Sequence, residues 1–77
     1  MSNLPNSKEP EAIVATVVEE LPNRLYEVET ADGHRLKAGP SEAAKRLGVD
    51  IRAGKRVWVR PARLDPGRGV ITGLAND

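Results

Sequence analysis

The chain has 77 residues, with 12 Lys or Arg against 11 Asp or Glu, no Cys and a single His. This length suits one small domain, and the absence of Cys excludes disulfides and thiolate metal sites. A single His argues strongly against a zinc or iron centre. No apolar run approaches the roughly 20 residues of a membrane span and none follows a basic start, so we expect a cytoplasmic protein without membrane segment or signal peptide.

The first residues differ in composition from the rest. Residues 1–11 contain two prolines, mixed charge and one apolar side chain after the initial Met. Such a segment buries too little apolar surface to order itself, so we predict a flexible arm. The predicted domain covers residues 12–74, and residues 75–77 are predicted to fray.

Three segments with strand character follow the arm. Residues 12–20 are rich in β-branched side chains, and residues 24–30 and 35–38 alternate between apolar and polar. These patterns are typical of strands with one wet face. The break at residues 21–23 and the Asp-Gly pair at 32–33 are turn signals. We therefore predict an antiparallel meander of three strands.

One short helix is predicted after the third strand. Gly39-Pro40 is expected to end that strand, and Ser41 is a favourable N-cap for a helix over residues 42–47. Gly48 can close this helix in the left-handed conformation. We predict that two apolar side chains carry most of its packing, Ala44 and Leu47.

Two further strands complete the expected fold. Residues 56–60 alternate with Val57 and Val59 on one side, and a short last strand is predicted at residues 70–72. Five strands with a helix between the third and fourth indicate an all-β, five-stranded Greek-key barrel, the OB-fold. An SH3-like barrel is the main competitor, although it usually lacks a helix at that place.

Charge is unevenly distributed along the chain. Residues 1–34 contain two Lys or Arg and seven Asp or Glu, a net charge of −5, whereas residues 35–77 contain ten and four, a net charge of +6. This asymmetry suggests a face that binds a polyanion. The alternative is a solvated surface whose signs happen to sort along the chain.

The strongest candidate for a binding site is the triplet Arg56-x-Trp58-x-Arg60. Alternation places these side chains on one strand face, where an indole between two guanidinium groups would form a stacking platform beside phosphate ligands. Equally, Trp58 could cover a barrel end while the arginines are solvated. Other cations point outward from the third strand, the helix and the last loop: Arg35, Lys37, Lys45, Arg46, Arg63 and Arg68. With Tyr26 interleaved and His34 exposed at a turn, they could form one RNA-binding surface.

Enzyme motifs are absent from the sequence. No glycine-rich phosphate loop precedes the helix, and capping is a sufficient role for Ser41. Neighbouring Glu19 and Glu20 point to opposite sides of a strand and cannot cooperate as acid and base without a bend. We predict that the protein is not an enzyme and needs no cofactor.

Several segments resemble bacterial translation initiation factor 1. Residues 15–23, ATVVEELPN, followed by YEV at 26–28, are similar to the family's first hairpin. The turn DGH at 32–34 and the segment IRAGKRVWV at 51–59 resemble its later motifs. Two further matches to its closing segment are Asp65 and the pair Gly69-x-Ile71.

This resemblance implies a single S1-like OB domain without enzymatic activity or cofactor. The family binds the small (30S) ribosomal subunit at the aminoacyl-tRNA site, contacts 16S ribosomal RNA, blocks premature tRNA entry and cooperates with other initiation factors. We therefore expect a monomeric ribosome-binding protein. Phosphates would be neutralised by cations such as Lys45, Arg46, Arg60, Arg63 and Arg68. Exposed bases would be contacted by Tyr26, His34 and Trp58.

The chain also departs from the family pattern. Lys45 and Arg46 keep a basic pair, but family cations are replaced at three positions, Ala43, Asp50 and Val70. Trp58 and Arg60 are additions, and Gly73 replaces a bulky residue. The departures imply that some rRNA contacts are lost or moved, as in a divergent paralogue.

Two other functions remain open. A general single-stranded RNA or DNA binder would resemble cold-shock proteins, but the chain has no Phe with which to stack bases. A protein-interaction barrel would bind a basic partner through the acidic N-terminal half, with no salt-sensitive binding of nucleic acid.

Overall fold

The computed structural model describes residues 12–75, which form five strands, one 3-10 turn and one helix. The elements in chain order are β1 (Ile13–Leu21), the 3-10 turn (Pro22–Arg24), β2 (Leu25–Thr30), β3 (Arg35–Pro40), α1 (Glu42–Leu47), β4 (Arg56–Pro61) and β5 (Arg68–Leu74). The predicted arm, 1–11, and the last two residues lie outside the described part of the chain.

The strands form a closed barrel in the order β1-β2-β3-β5-β4. The predicted meander is present, since β1 pairs antiparallel with β2 and β2 with β3. β5 inserts between β3, to which it is parallel, and β4, to which it is antiparallel. Pairing of β4 with β1 closes the barrel. The predicted OB-fold with a helix between the third and fourth strands is confirmed.

The core is small and entirely apolar. Nine buried side chains fill the barrel: Ala15, Val17, Val28, Leu36, Ala38, Ile51, Val57, Val59 and Ile71. Those from β2, β3 and β4 lie on the inward faces that alternation predicts for these strands. Within residues 12–75 no polar or charged side chain is buried, so apolar packing and backbone pairing carry the stability of this barrel.

The helix begins and ends where capping predicts. Ser41 Oγ accepts a hydrogen bond from the Ala44 N–H at 3.0 Å, and Gly48 adopts φ 69° after the last turn. Ala44 is buried, but Leu47 is 79% exposed, so the prediction that Leu47 packs was wrong. The helix has only six residues, and Ile51, in the segment that follows it, packs into the core in place of Leu47.

Three strands are longer than predicted, β4 by one residue. β3 continues through Gly39 and Pro40, which pair with Val70 and Ile71 of β5. Pro is tolerated here because it occupies the last position of its strand. β5 extends over residues 68–74 despite its glycines, because it has a pairing partner on both sides. Local propensity therefore underestimated a strand that tertiary pairing lengthens.

Gly69 allows the close approach of three strands. A Cβ at this position would lie 2.9 Å from Val59 Cγ1, 3.1 Å from the Arg60 carbonyl oxygen and 3.3 Å from Leu36 Cδ1. We expect Gly69→Ala to lower the free energy of unfolding by about 1–3 kcal/mol, since the barrel must shift to admit the methyl group. Chemical denaturation would measure this loss.

The matched control is Gly67→Ala in the preceding loop. A Cβ there would meet only Asp65 Oδ1, at an ordinary 3.6 Å, so we expect a change within about 0.5 kcal/mol. Equal losses in the two variants would contradict the steric explanation.

Candidate nucleic-acid interface

Six of the predicted contact residues point outward from three neighbouring strands of the barrel. Lys37 of β3 is directly opposite Arg68 of β5, and Arg60 of β4 is opposite Val70, one pleat further along β5. Alternation along β3 and β4 directs the remaining members outward as well. We call this outer surface of β3, β5 and β4 the basic face; its members are Arg35, Lys37, Arg56, Trp58, Arg60 and Arg68.

The opposite strands carry the other sign of charge. Glu19 is opposite Glu27, and Glu29 follows two residues later on β2, so β1 and β2 present an acidic face made of these three residues. Arg35 lies at the boundary, with Nη1 3.5 Å from Glu27 Oε2 and Nη2 3.9 Å from Glu29 Oε1. The charge asymmetry along the chain therefore becomes a division of the barrel surface.

Trp58 is half-buried on the outer side of β4. Its cross-strand partners are Val14 of β1 and Gly73 of β5. Gly73 is buried. Aromatic residues are known to pair with glycine across strands in this way. The two departures from the family pattern, Trp58 and Gly73, are thus cross-strand neighbours. A bulky side chain is lost on β5 and one is gained on β4. The exposed part of the indole is available to a ligand on the basic face.

A shallow cleft lies at the junction of β3 with the β4–β5 loop. It has a volume of about 340 Å³, and its lining includes Arg35, Lys37 and Arg68 together with Glu27 and Asp65. Arg68 Nε lies 3.9 Å from Asp65 Oδ2, an exposed pair that contributes little to stability. Three cations therefore line the cleft, and two of them, Arg35 and Arg68, are paired with carboxylates.

His34 lies at the β2–β3 turn and contacts the β4–β5 loop. Its Nε2 lies 3.0 Å from the Pro66 carbonyl oxygen; because a carbonyl only accepts, Nε2 carries the proton. Gly33, with φ 89°, supplies the left-handed residue of the turn. The sequence predicted exposure for His34, and the structure adds this contact, which uses one of its ring nitrogens.

Asp32 stabilises the same turn through its charge. The Thr30 hydroxyl and, more weakly, the His34 N–H donate to Asp32 Oδ1, and these bonds lower the pKa of Asp32 below its usual 3.8. A lowered pKa in the folded state stabilises the protein above the usual value, and this contribution is lost as the pH falls through the lowered value. The turn therefore keeps its hydrogen bonds at neutral pH.

Tyr26 and Lys45 lie elsewhere, in a cleft of about 460 Å³ at the helix end of the barrel. Tyr26 is half-buried and packs against the core from the inward side of β2. The expectation that Tyr26 and Trp58 interleave on one basic surface is therefore wrong. Inward residues of β2 and outward residues of β4 cannot share a face of a closed barrel.

This end cleft contains two cations that sequence reasoning missed, Arg24 and Arg52. Arg24 is exposed in the turn after β1, with φ 60°, a conformation that is uncommon for a residue other than Gly or Asn. The turn signal at residues 21–23 could have indicated its exposure. Arg52 Nε is 3.0 Å from Asp50 Oδ1, and Lys45 Nζ is 3.5 Å from Glu42 Oε2.

The last two predicted contacts are exposed at separate places. Arg46 is on α1 but does not line the end cleft, and Arg63 is in the β4–β5 loop beside the basic face. The structure thus brings the strand cations together and leaves the helix cations at the barrel end. In residues 12–75 there is no helix of the length and apolarity needed to cross a membrane.

Comparison with known proteins gives a likeness of fold. No protein-family model matches the chain. The solution structure of translation initiation factor 1 from the Wolbachia endosymbiont strain TRS of Brugia malayi is similar, with a TM-score of 0.71 and 22% identity over 84% of this chain and 77% of that one. YjeQ from Thermotoga maritima is similar with a TM-score of 0.69 and 23% identity over 84% of this chain. This chain spans 23% of the YjeQ chain.

Proposed function

We propose that this protein binds ribosomal RNA of the small (30S) subunit as an OB protein similar to initiation factor 1. The observation that carries the proposal is the basic face, where Lys37 is paired with Arg68 and Arg60 lies one pleat further along, next to the aromatic residue of β4. Clustered cations attract the phosphate backbone, and an exposed aromatic ring can stack on a base. The motif resemblance and the likeness of fold to a translation initiation factor 1 support the same function.

The proposed mechanism is occupancy of a site on 16S rRNA. A small rigid barrel would fill the aminoacyl-tRNA site, exclude tRNA from it and leave room for other initiation factors. This function requires no catalysis, no cofactor and no second copy of the chain. The basic face would neutralise phosphates, and the acidic face would point away from the RNA because like charges repel.

The direct test is co-sedimentation with purified 30S subunits over a range of salt concentrations. We expect the protein to pellet with the subunits at low salt and to be released as salt rises, since each phosphate contact releases counterions. Failure to co-sediment at low salt would refute the proposal. Equal affinity for an unstructured oligonucleotide would instead identify a general single-strand binder.

A second measurement locates the interface. Trp58 is the only Trp in the chain, so quenching of its fluorescence by a decoding-site rRNA hairpin would report directly on the basic face. Amide chemical shifts recorded during the same titration should change on β3, β5 and β4. Shifts confined to β1 and β2 would contradict this interface and favour a barrel that binds basic proteins.

A further inference from the structure

Leu64 is the most exposed of the large apolar side chains in residues 12–75. It lies in the loop between β4 and β5 and is 98% exposed. Isolated exposed apolar side chains are common on protein surfaces. Leu64 is distinguished by the hydrogen bonds that hold its loop in place.

The loop that carries Leu64 is closed by its own hydrogen bonds. The Gly67 N–H donates to Asp65 Oδ1 at 3.1 Å, and the Arg68 N–H donates to the Asp65 carbonyl at 3.0 Å. At its base, the Ala62 N–H donates to the Arg68 carbonyl at 2.9 Å. These bonds restrict the backbone on both sides of Leu64.

Two further bonds attach the loop to the rest of the barrel. The Lys37 N–H of β3 donates to the Gly67 carbonyl at 2.9 Å, and His34 Nε2 lies 3.0 Å from the Pro66 carbonyl. The loop is therefore anchored to the basic face and to the β2–β3 turn. A side chain on an anchored loop loses little conformational entropy on binding, which favours a role in recognition.

Cations outnumber acids around the loop that carries Leu64. Arg63 precedes Leu64 and Asp65 follows it. The cleft formed by this loop and β3 is lined by Arg35, Lys37 and Arg68 together with Asp65 and Glu27. Such a surface selects a polyanionic partner. Within a nucleic acid, the groups that an apolar side chain can contact favourably are the bases, and proteins use Leu among other residues as wedges against unstacked bases.

We propose that Leu64 packs against an unstacked base of the RNA bound by the basic face. The cations hold the surrounding phosphates, and Leu64 supplies an apolar contact that depends on the shape of the RNA rather than on its charge. His34 is a positioning residue, because its ring holds the loop at Pro66. This inference rests on the proposed RNA-binding function.

The experiment compares two exposed leucines. Leu64→Ala should weaken binding of the decoding-site rRNA hairpin by about tenfold, the effect expected for loss of a buried apolar contact. The slope of log affinity against log salt should stay unchanged, because no cation is removed. Leu47→Ala is the control, since Leu47 is 79% exposed on α1, and its affinity should stay within about twofold of the unchanged protein. Both variants should keep the thermal midpoint of the parent.

Each possible result bears on a distinct claim. If the unchanged protein does not bind the hairpin or the 30S subunit, the proposed function fails. If it binds and Leu64→Ala binds equally well, only the role of Leu64 is overturned. If Leu64→Ala loses affinity for whole subunits but not for the hairpin, Leu64 contacts a part of the subunit outside the hairpin, and the proposed contact with a base at the basic face is overturned.

Discussion

Replacing Ile71 by Ala is expected to lower the free energy of unfolding by about 2–5 kcal/mol. Ile71 is 0% exposed at the centre of β5, and the barrel core contains only two other side chains larger than Val, Leu36 and Ile51. A chain of 77 residues has a total stability of about 4–12 kcal/mol. The cavity left by this one substitution therefore threatens the folded state itself.

Urea denaturation followed by Trp58 fluorescence would measure this loss. Ile13→Ala is the matched control, because Ile13 is also in a strand but is 40% exposed. We expect the control to lose less than about 1 kcal/mol, since its side chain is only partly removed from water. Similar losses in the two variants would contradict the view that a small closed core holds this barrel together.

Reversing the charge of the basic-face lysine that pairs with Arg68 should have the largest effect on RNA binding. Lys37 lies between Glu27 on β2 and Arg68 on β5, and its side chain forms no ion pair with an acid in residues 12–75. We expect Lys37→Glu to lower affinity for the rRNA hairpin at least about tenfold at moderate salt, because it removes one phosphate contact and adds repulsion.

Lys55→Glu is the control with the same change of net charge. Lys55 lies in the turn before β4, where its carbonyl oxygen accepts the Val17 N–H of β1 at 2.8 Å. This turn precedes Arg56, at the opposite end of the basic face from Lys37 and Arg68. We expect its affinity to fall by less than about threefold, through the overall charge alone. If both lysine variants lose affinity equally, the protein is attracted to RNA by net charge and has no specific face.

The acidic and basic faces affect the orientation in which the protein would approach RNA. The net charge is only +1, too small to draw the protein strongly toward a polyanion from a distance. A barrel with Glu27 and Glu29 on one side and Arg60 and Arg68 on the other has a strong charge asymmetry instead. Such asymmetry orients the encounter and suppresses wrong orientations. We therefore expect binding in one orientation rather than loose adsorption.

Much of the fold was predictable because its signals are local. Alternation over Val57 and Val59 identified β4, and Ser41 with Gly48 marked both ends of the helix. Caps and alternation depend on residues a few positions apart, so they can be read without knowing the rest of the fold. The order of these elements then indicated the OB barrel.

The errors occurred where distant parts of the chain meet. β5 was predicted as three residues because Gly69 and Gly73 have low strand propensity, yet pairing with two neighbours extends it to seven. Tyr26 and Trp58 were predicted on one surface, but barrel closure separates them. Leu47 was predicted to pack but is exposed, whereas Ile51 is buried in the core. Each outcome depends on long-range packing, which overrides local propensity.

From the sequence alone, the barrel type, the caps of its helix and the division of charge into an acidic and a basic half could be inferred. The grouping of Lys37, Arg60 and Arg68 could be seen only in the tertiary structure, because it requires β5 to insert between β3 and β4. The same holds for the anchoring of the Leu64 loop by His34. The charges themselves are given by the amino-acid composition. Their grouping on one face of the barrel requires a particular strand register, and that register is set by contacts between residues far apart in the chain.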